Sequence, residues 1–363
     1  MSNGASEMIG GLPEPLVILA DDLTGAADAA VAFTRICSDV TVDMSTPAPR
    51  PGAVVAWSSD TRDTEPAQLK ERIQAVLRNL PASTILFKKI DSVFRGNTFA
   101  EIREFLHTRV YDLAILAPAY PQVGRRIEKG VLHIDDITGS RSMNLVEEFP
   151  EIPLLPAGLP EDQIQARFRS VLNQKQRAVL CDAHTQEHLE DVARVARSLQ
   201  VRTLWIGSGG LAHALAAASS AIQPSPLVQR KPAGIACYFI GSDHPVTVRQ
   251  IAHLQSNCEP RSFFLKKVLR DTPESTIRSA LEVAKHPIGT FVMTGGDTAS
   301  LVCRALGITA IRLYRELVPG VPLGTAVGGP YDGTPLLLKS GGFGSDELLC
   351  NIQAQFSNQE IYL

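Results

Sequence analysis

Val17-Ile18-Leu19-Ala20-Asp21-Asp22-Leu23-Thr24-Gly25-Ala26-Ala27-Asp28 is the stretch whose reading decides the fold. An apolar run from Leu16 to Ala20, too short for a helix, ends in two adjacent carboxylates. A turn of small residues then enters an Ala-rich segment, Ala26 to Phe33, with helical propensity. The pattern is strand, loop, helix. In an open α/β sheet, ligands bind outside the carboxyl ends of the strands, so both acids stand where chemistry is usually done. Asp22 or Thr24 would also make a good N-cap. A cap needs one such residue, however, and here Asp21, Asp22, Thr24 and Asp28 crowd a single turn. The surplus charge asks for a ligand.

Working outward, the same unit repeats. Gly52 to Trp57 reads as a second buried strand, followed by the polar loop Ser58 to Asp63 and a helix from about Glu65 to Leu80. Thr84 to Asp91 is a third strand that ends in charge. Its loop, Ser92 to Asn97, runs into a helix opening at Thr98, with Glu101 three residues on as a capping box. Leu113 to Ala117 is a fourth strand and Pro118 to Arg126 its loop. Strands alternating with helices imply right-handed crossovers and a parallel sheet. The loops then gather on one edge, which would carry Asp21, Asp22, Asp60, Arg62, Lys89, Asp91, Arg95, Arg125 and Arg126.

The rhythm continues through strands at Ala178 to Ala183 and Thr203 to Ile206. Gln223 to Pro232, with three prolines, reads as a linker. Beyond it, strands at Ile235 to Ile240, Thr290 to Met293 and Pro335 to Lys339 run into loops rich in Gly, Ser and Thr: Gly241 to Pro245, Thr294 to Thr298 and Ser340 to Gly344. The expectation is an α/β protein of two domains, residues 16–226 and 232–363. Each is a mostly parallel sheet with flanking helices, and the active site lies in the cleft between them. Residues 1–15 are expected to be disordered.

Composition narrows the function. A chain of 363 residues has room for two cores, and a net charge of −3 offers no basic footprint for nucleic acid. No apolar run reaches membrane-spanning length. The first fifteen residues hold no Lys or Arg and no apolar core, which argues against a secretory signal. The six cysteines are scattered and lack Cys-x-x-Cys spacing, so neither a zinc site nor a disulfide framework is expected. These features together fit a cytoplasmic protein, possible homo-oligomerisation being left open.

Glycine-rich turns at helix N-termini present bare backbone N–H groups and the positive end of the helix dipole, which together suit phosphate. The loops at 294–298 and 340–344, with Ser242, could cradle a nucleotide polyphosphate. The first half offers Arg forks for a carboxylate and Asp acceptors for hydroxyls. Face to face, the two halves suggest phosphoryl transfer, with Mg²⁺ bridging phosphates and a carboxylate orienting the attacking hydroxyl.

At these residues a family resemblance emerges. Val17 to Asp28 (VILADDLTGAAD), Lys88 to Gly96 (KKIDSVFRG), Ala117 to Gly124 (APAYPQVG), Thr294 to Gly307 (TGGDTASLVCRALG), Pro319 to Pro322 (PGVP) and Leu338 to Gly344 (LKSGGFG) are similar, in order, to the motifs of the four-carbon acid sugar kinases. That resemblance implies ATP-dependent phosphorylation of the terminal hydroxyl of an acid such as threonate, erythronate or 3-oxo-tetronate. It implies an N-terminal substrate domain and a C-terminal nucleotide domain. ATP would be held by Ser242, Gly295, Gly296, Asp297, Thr298 and Gly341. The acid would lie against Asp22, Arg62, Asp91, Ser92 and Arg95; Asp21 and Lys89, on the same charged edge, are expected to join them, with Asp22 or Asp91 as base and the magnesium ligands unassigned. Three departures from the family pattern stand out: Asp243 would repel phosphate unless it faces away or helps to hold Mg²⁺, Arg126 stands where a Thr is common, and Val93-Phe94 replaces a Thr-Leu pair. The chain is also shorter than typical members.

Two other motifs compete. His184-Thr185-Gln186-Glu187-His188 matches the H-x-x-E-H pattern of inverted zinc peptidases, yet it opens a helix in a polar stretch and reads better as a solvated first turn. Gly207-Ser208-Gly209-Gly210-Leu211-Ala212 fits the dinucleotide fingerprint. No Asp or Glu occurs from Leu211 to Ser242 to bind a ribose, so close helix–strand packing is the better reading. An NAD-dependent dehydrogenase and a non-catalytic interaction or effector protein are the alternatives to a kinase.

Overall fold

Short apolar runs bounded by polar loops become strands buried on both faces, as a parallel sheet covered by helices requires. The computed structural model describes residues 14–45, 48–108, 111–174, 176–219, 229–230, 234–283, 286–357 and 361–362. In the first half the strands are β1 (Leu16–Ala20), β2 (Val40–Asp43), β3 (Val54–Ser58), β4 (Ile85–Lys89), β5 (Leu113–Ala117), β6 (Arg125–Glu128), β7 (Val131–Asp136), β8 (Gly139–Asn144), β9 (Leu154–Leu155), β10 (Ala178–Cys181) and β11 (Thr203–Gly207). The rest are β12 (Gln229–Arg230), β13 (Ile235–Ile240), β14 (Phe263–Lys267), β15 (Ile288–Thr294), β16 (Ala310–Glu316), β17 (Pro322–Val327), β18 (Pro335–Lys339) and β19 (Ile361–Tyr362). Residues 1–13 of the expected frayed start and most of the expected linker lie outside the described residues.

One sheet of 14 strands runs through both halves in the order β14-β13-β15-β18-β17-β16-β2-β3-β1-β4-β11-β5-β10-β9. From β2 to β9 every pairing is parallel, and so are β14-β13-β15-β18. The two parallel sheets are joined edge to edge by an antiparallel stretch, β18-β17-β16-β2, whose seam pairs Ala310 with Asp43, Ile311 with Val42 and Arg312 with Thr41. One hydrophobic core extends from Leu16 to Leu338 across this seam. Along β13, Cys237 and Phe239 enter that core, while Ala236, Tyr238 and Ile240 enter a second one with Val292, Leu337 and Leu349. That alternation is the period-two register of a strand covered on both sides.

Register places the loops. Ile240, Thr294 and Lys339 are level across β13, β15 and β18, so the three glycine-rich loops leave the sheet side by side. In the first half Ala20 pairs with Ser58, Leu19 with Lys88, and Lys89 with Gly207. The charged loops therefore share one edge, as the alternation of strands and helices implies.

Two local details differ from expectation. The helix Thr98–His107 starts at Asn97 without a side-chain cap. Thr98 Oγ1 donates instead to the Arg95 carbonyl, and Glu101 turns inward to form a buried pair with Lys88 at 2.9 Å and to accept from Thr61. The second difference is an antiparallel sheet of β6, β7 and β8 that stands over the loop edge. Its first hairpin turns at Lys129-Gly130, both with positive φ, and the Asp182 carboxylate accepts both backbone N–H groups at 2.8 Å.

Candidate active site

Asp22 sits where β1 meets the helix Leu23–Ala30, and it does cap that helix: Oδ1 accepts from Gly25 N–H at 2.5 Å. Its other oxygen, Oδ2, accepts from Arg62 Nη1 at 2.6 Å and from Thr24 Oγ1 at 3.2 Å. Asp21, 2% exposed, takes Arg62 Nε at 2.7 Å and leaves its Oδ1 buried without a partner. Burial, reinforced by the charge of Asp22, pushes the Asp21 carboxyl up to about 6 despite Arg62. Burial alone would lower Arg62, yet Asp22 and Asp21 hold it above its ordinary value.

At the end of β4, Lys89 Nζ pairs with Asp28 at 3.3 Å and donates to the Ile90 carbonyl. Asp91 grips Arg95 with both oxygens, at 2.6 Å to Nε and 3.1 Å to Nη2. Burial would raise Asp91, but the hydrogen bonds and charge of Arg95 outweigh it and hold the carboxyl down at about 2. Arg62 and Arg95, expected as forks for a ligand carboxylate, are thus each bound to carboxylates of the protein itself.

Asp22, Arg62, Lys89, Asp91, Ser92 and Arg95 line one cavity of about 240 Å³, and its opposite wall is His244, Ser340, Gly342 and Phe343 from the second half. The two halves touch there directly. Ser340 Oγ donates to Thr24 Oγ1 at 3.3 Å, and a Cβ on Gly296 would come within 2.4 Å of Asp22 Oδ2. The N-terminus of the helix Gly296–Ala305 therefore lies against the Asp22 carboxylate.

The predicted nucleotide residues gather beside this cavity. Gly295, with φ +93°, forms the N-cap of that helix and keeps the turn open toward Ser242 and Thr298. A Cβ on Gly341 would fall 2.1 Å from Ser242 Oγ, and one on Gly241 would strike Thr298 Oγ1. Ser242, Gly295, Gly296, Thr298 and Gly341 form one group at the carboxyl ends of β13, β15 and β18. Asp297 turns outward to Arg270 at 2.8 Å, and Arg270 also reaches Asp63 of the first half at 2.5 Å. Asp243 is exposed and paired with Lys267 at 2.9 Å, away from the turns.

Several residues outside the expected set of ligand-binding side chains complete the site. Lys339, fully buried at the end of β18, donates to Thr247 Oγ1 and to the carbonyls of Ser340 and Gly341 at 2.9–3.2 Å. Burial without a carboxylate partner pulls it down to about 7. Asp136, Thr138 and Arg141 reach the cavity from β7, β8 and their turn, together with Arg125 at the start of β6. The hairpin turn signals at Lys129-Gly130 and Thr138-Gly139 could have revealed them.

The competing motifs take ordinary roles. Thr185 caps the helix Gln186–Ser198, and His188 accepts the His184 backbone N–H within its first turn. Gly209 packs against the Tyr120 ring and Gly210 against the Ala119 carbonyl, closer than a Cβ would allow, so this turn has no open face for a pyrophosphate. No helix among the described residues is long and apolar enough to cross a membrane.

Comparisons with known proteins bear on the same two halves. Residues 16–215 match a sugar-binding N-terminal domain and residues 273–349 a nucleotide-binding C-terminal domain. A D-threonate kinase of Cupriavidus necator is 30% identical over 407 aligned positions, spanning 92% of this chain and 96% of the relative. That alignment is longer than the chain, so the relative carries segments this protein lacks. A 3-oxo-tetronate kinase of Pectobacterium atrosepticum is 24% identical, spanning 94% of this chain and 99% of its own. Among solved structures, a Salmonella typhimurium protein superposes with a TM-score of 0.69 at 21% identity, covering 94% of this chain and 99% of the other, which speaks for the fold.

Proposed function

The chain belongs to the four-carbon acid sugar kinase family, and on that premise we propose that it transfers the terminal phosphoryl group of ATP to the terminal hydroxyl of a four-carbon sugar acid of the threonate, erythronate or 3-oxo-tetronate type. The observation that carries this reading is the contact between Asp22 and Gly296: a carboxylate of the sugar-binding half meets the helix N-terminus of the nucleotide-binding half. An acceptor hydroxyl on Asp22 would face a phosphate seated on the 295–298 turn.

In this reading Ser242, Gly295, Gly296, Thr298 and Gly341 receive the polyphosphate through backbone N–H groups and hydroxyls. Lys89, Asp91 and Ser92 orient the hydroxyls of the acid. Arg62 aims the Asp22 carboxylate through the 2.6 Å hydrogen bond from Nη1. Asp22 is the better placed acceptor for the hydroxyl proton, because it faces the Gly296 turn while both Asp91 oxygens are taken by Arg95. A weak base suffices when the transition state is loose and catalysis is mostly positioning.

Magnesium fits as an ion carried by the nucleotide. No cluster of three or more metal-binding side chains exists among the described residues, and Mg²⁺ in such sites takes one or two carboxylates beside phosphates and water. Asp22 is the carboxylate at the junction that would complete its shell. When bound, the ion would neutralise charge developing on the transferred group. The test is ADP release across a panel of four-carbon sugar acids. Turnover with at least one is expected, and silence across the panel at saturating ATP and magnesium would refute the reading.

A further inference from the structure

Four arginines line the cavity; two are held by carboxylates in ways that leave little for a ligand, and a third, Arg141, is half in solvent. Arg62 carries Asp21 and Asp22 at 2.6–2.7 Å, and Arg95 is locked in a two-pronged pair with Asp91 while most of its side chain is in solvent. Arg141 is half exposed and stands 3.9 Å from Asp136. Arg125 differs. It is 9% exposed and, among the described residues, its Nε is buried without an acceptor and its one ion pair is a 3.6 Å contact to Asp136, a carboxylate shared with Arg141. Its guanidinium lies over the Phe343 ring, 6.0 Å from the centroid. Burial outweighs the nearby carboxylates and draws Arg125 below its ordinary value, whereas Arg62 and Arg95 are both raised.

A buried cation with an unfilled donor at a cavity wall is an unfavourable state that an incoming anion relieves. The planar fork of a guanidinium matches a carboxylate in particular. We infer that Arg125 is the receptor for the carboxylate of the four-carbon acid, with Phe343 as the plane that fixes its fork. The acid end would then be held between the loop after β5 and the 340–344 turn. The hydroxyl end would reach Asp22, whose contacts are Arg62, Thr24, Gly25 and Gly296 and include none of the Arg125 partners. Asp136 keeps Arg141 as its counter-ion when the ligand arrives.

This inference rests on the proposed kinase reaction, and the experiment separates the two. Arg125→Gln is compared with the unaltered protein on four-carbon acids and on the matching four-carbon polyols, which carry the hydroxyls without the carboxylate. KM for the acid is expected to rise about 10- to 100-fold, the range for a charge-assisted hydrogen bond. KM for ATP and any polyol turnover should stay nearly level, so the preference for acid over polyol narrows by the same factor. Arg125→Lys, which keeps the charge and loses the fork, should fall between, and it decides the matter if Arg125→Gln does not fold. An equal loss on acid and polyol, or a rise in KM for ATP in place of KM for the acid, overturns the assignment; where no polyol reacts, the two KM values decide. An unaltered protein that phosphorylates no four-carbon acid refutes the kinase reading and this inference with it. Unchanged variants of an active protein refute only the role of Arg125.

Discussion

Along the loop edge of the first half, polar groups are charged side chains held by one another: Arg62 by Asp21 and Asp22, Lys89 by Asp28, Arg95 by Asp91. Along the second, the groups at the cavity are glycine backbone, hydroxyls, His244 and Phe343, backed by one buried cation among the described residues, Lys339, that donates to main-chain carbonyls. Side chains in fixed pairs present direction and sign, which suits a small molecule whose hydroxyls differ only in stereochemistry. Backbone N–H groups present a concave positive surface, which suits a phosphate chain whatever lies beyond it. Selectivity is therefore expected to reside in the first half and affinity for the nucleotide in the second.

The sharpest way to break this contrast is Asp22→Asn. Asn retains an acceptor for the helix cap, so the fold should hold, while turnover should drop by about 10² or more. Titration with nucleotide in the absence of magnesium should be nearly unchanged; a comparable loss of binding there would show that the two edges do not divide the labour. Gly341→Ala probes the other side. Its Cβ would press on Ser242 Oγ at 2.1 Å, and KM for ATP should rise about tenfold, as expected of mild overpacking, with KM for the acid unmoved. A change in the acid constant alone would place Gly341 on the wrong edge.

Smaller effects refine the comparison. Lys339 titrates near 7 in the fold against 10.5 as the ordinary lysine value, so between those limits the unfolded chain binds more protons and stability rises with pH. The contribution is lost as pH falls through about 7. Between pH 7 and pH 10 the stability of the unaltered protein minus that of Lys339→Met should become more positive, and a difference that does not change with pH would mean the buried amine stays charged. Least of all, Arg270→Ala removes the exposed bridge from Asp63 to Asp297. It should change stability by less than about 1 kcal/mol, with the difference vanishing in high salt. A larger effect would make this bridge part of the clasp between the halves.

What was legible in the chain follows from the range of the forces involved. Leu16 to Asp28 announces strand, loop and helix because the signal lies within a dozen residues, and the glycine turns at 294–298 and 340–344 are equally local. The seam between β2 and β16 was not legible: Val40 to Asp43 and Ala310 to Glu316 are ordinary strand sequences, and nothing in either names a partner some 270 residues away. The pairing of Arg95 with Asp91 is an i,i+4 relation visible in hindsight, but whether an arginine serves a ligand or a neighbouring acid depends on tertiary packing. Lys339 reads as the charged end of a strand, and only burial from Thr247 and the following turn makes it something else. Arg125 was visible as a charged loop residue; its unfilled Nε was not.

The seam has a mechanical side. Two domains tethered by a linker alone could swing apart in any direction and meet again in many poses. Here three cross-strand residue pairs, 310–312 against 41–43, stitch the platforms into one surface, so opening the cleft has to flex or twist that surface about a narrow waist. The same stitching fixes the direction from which the 295–298 turn meets Asp22.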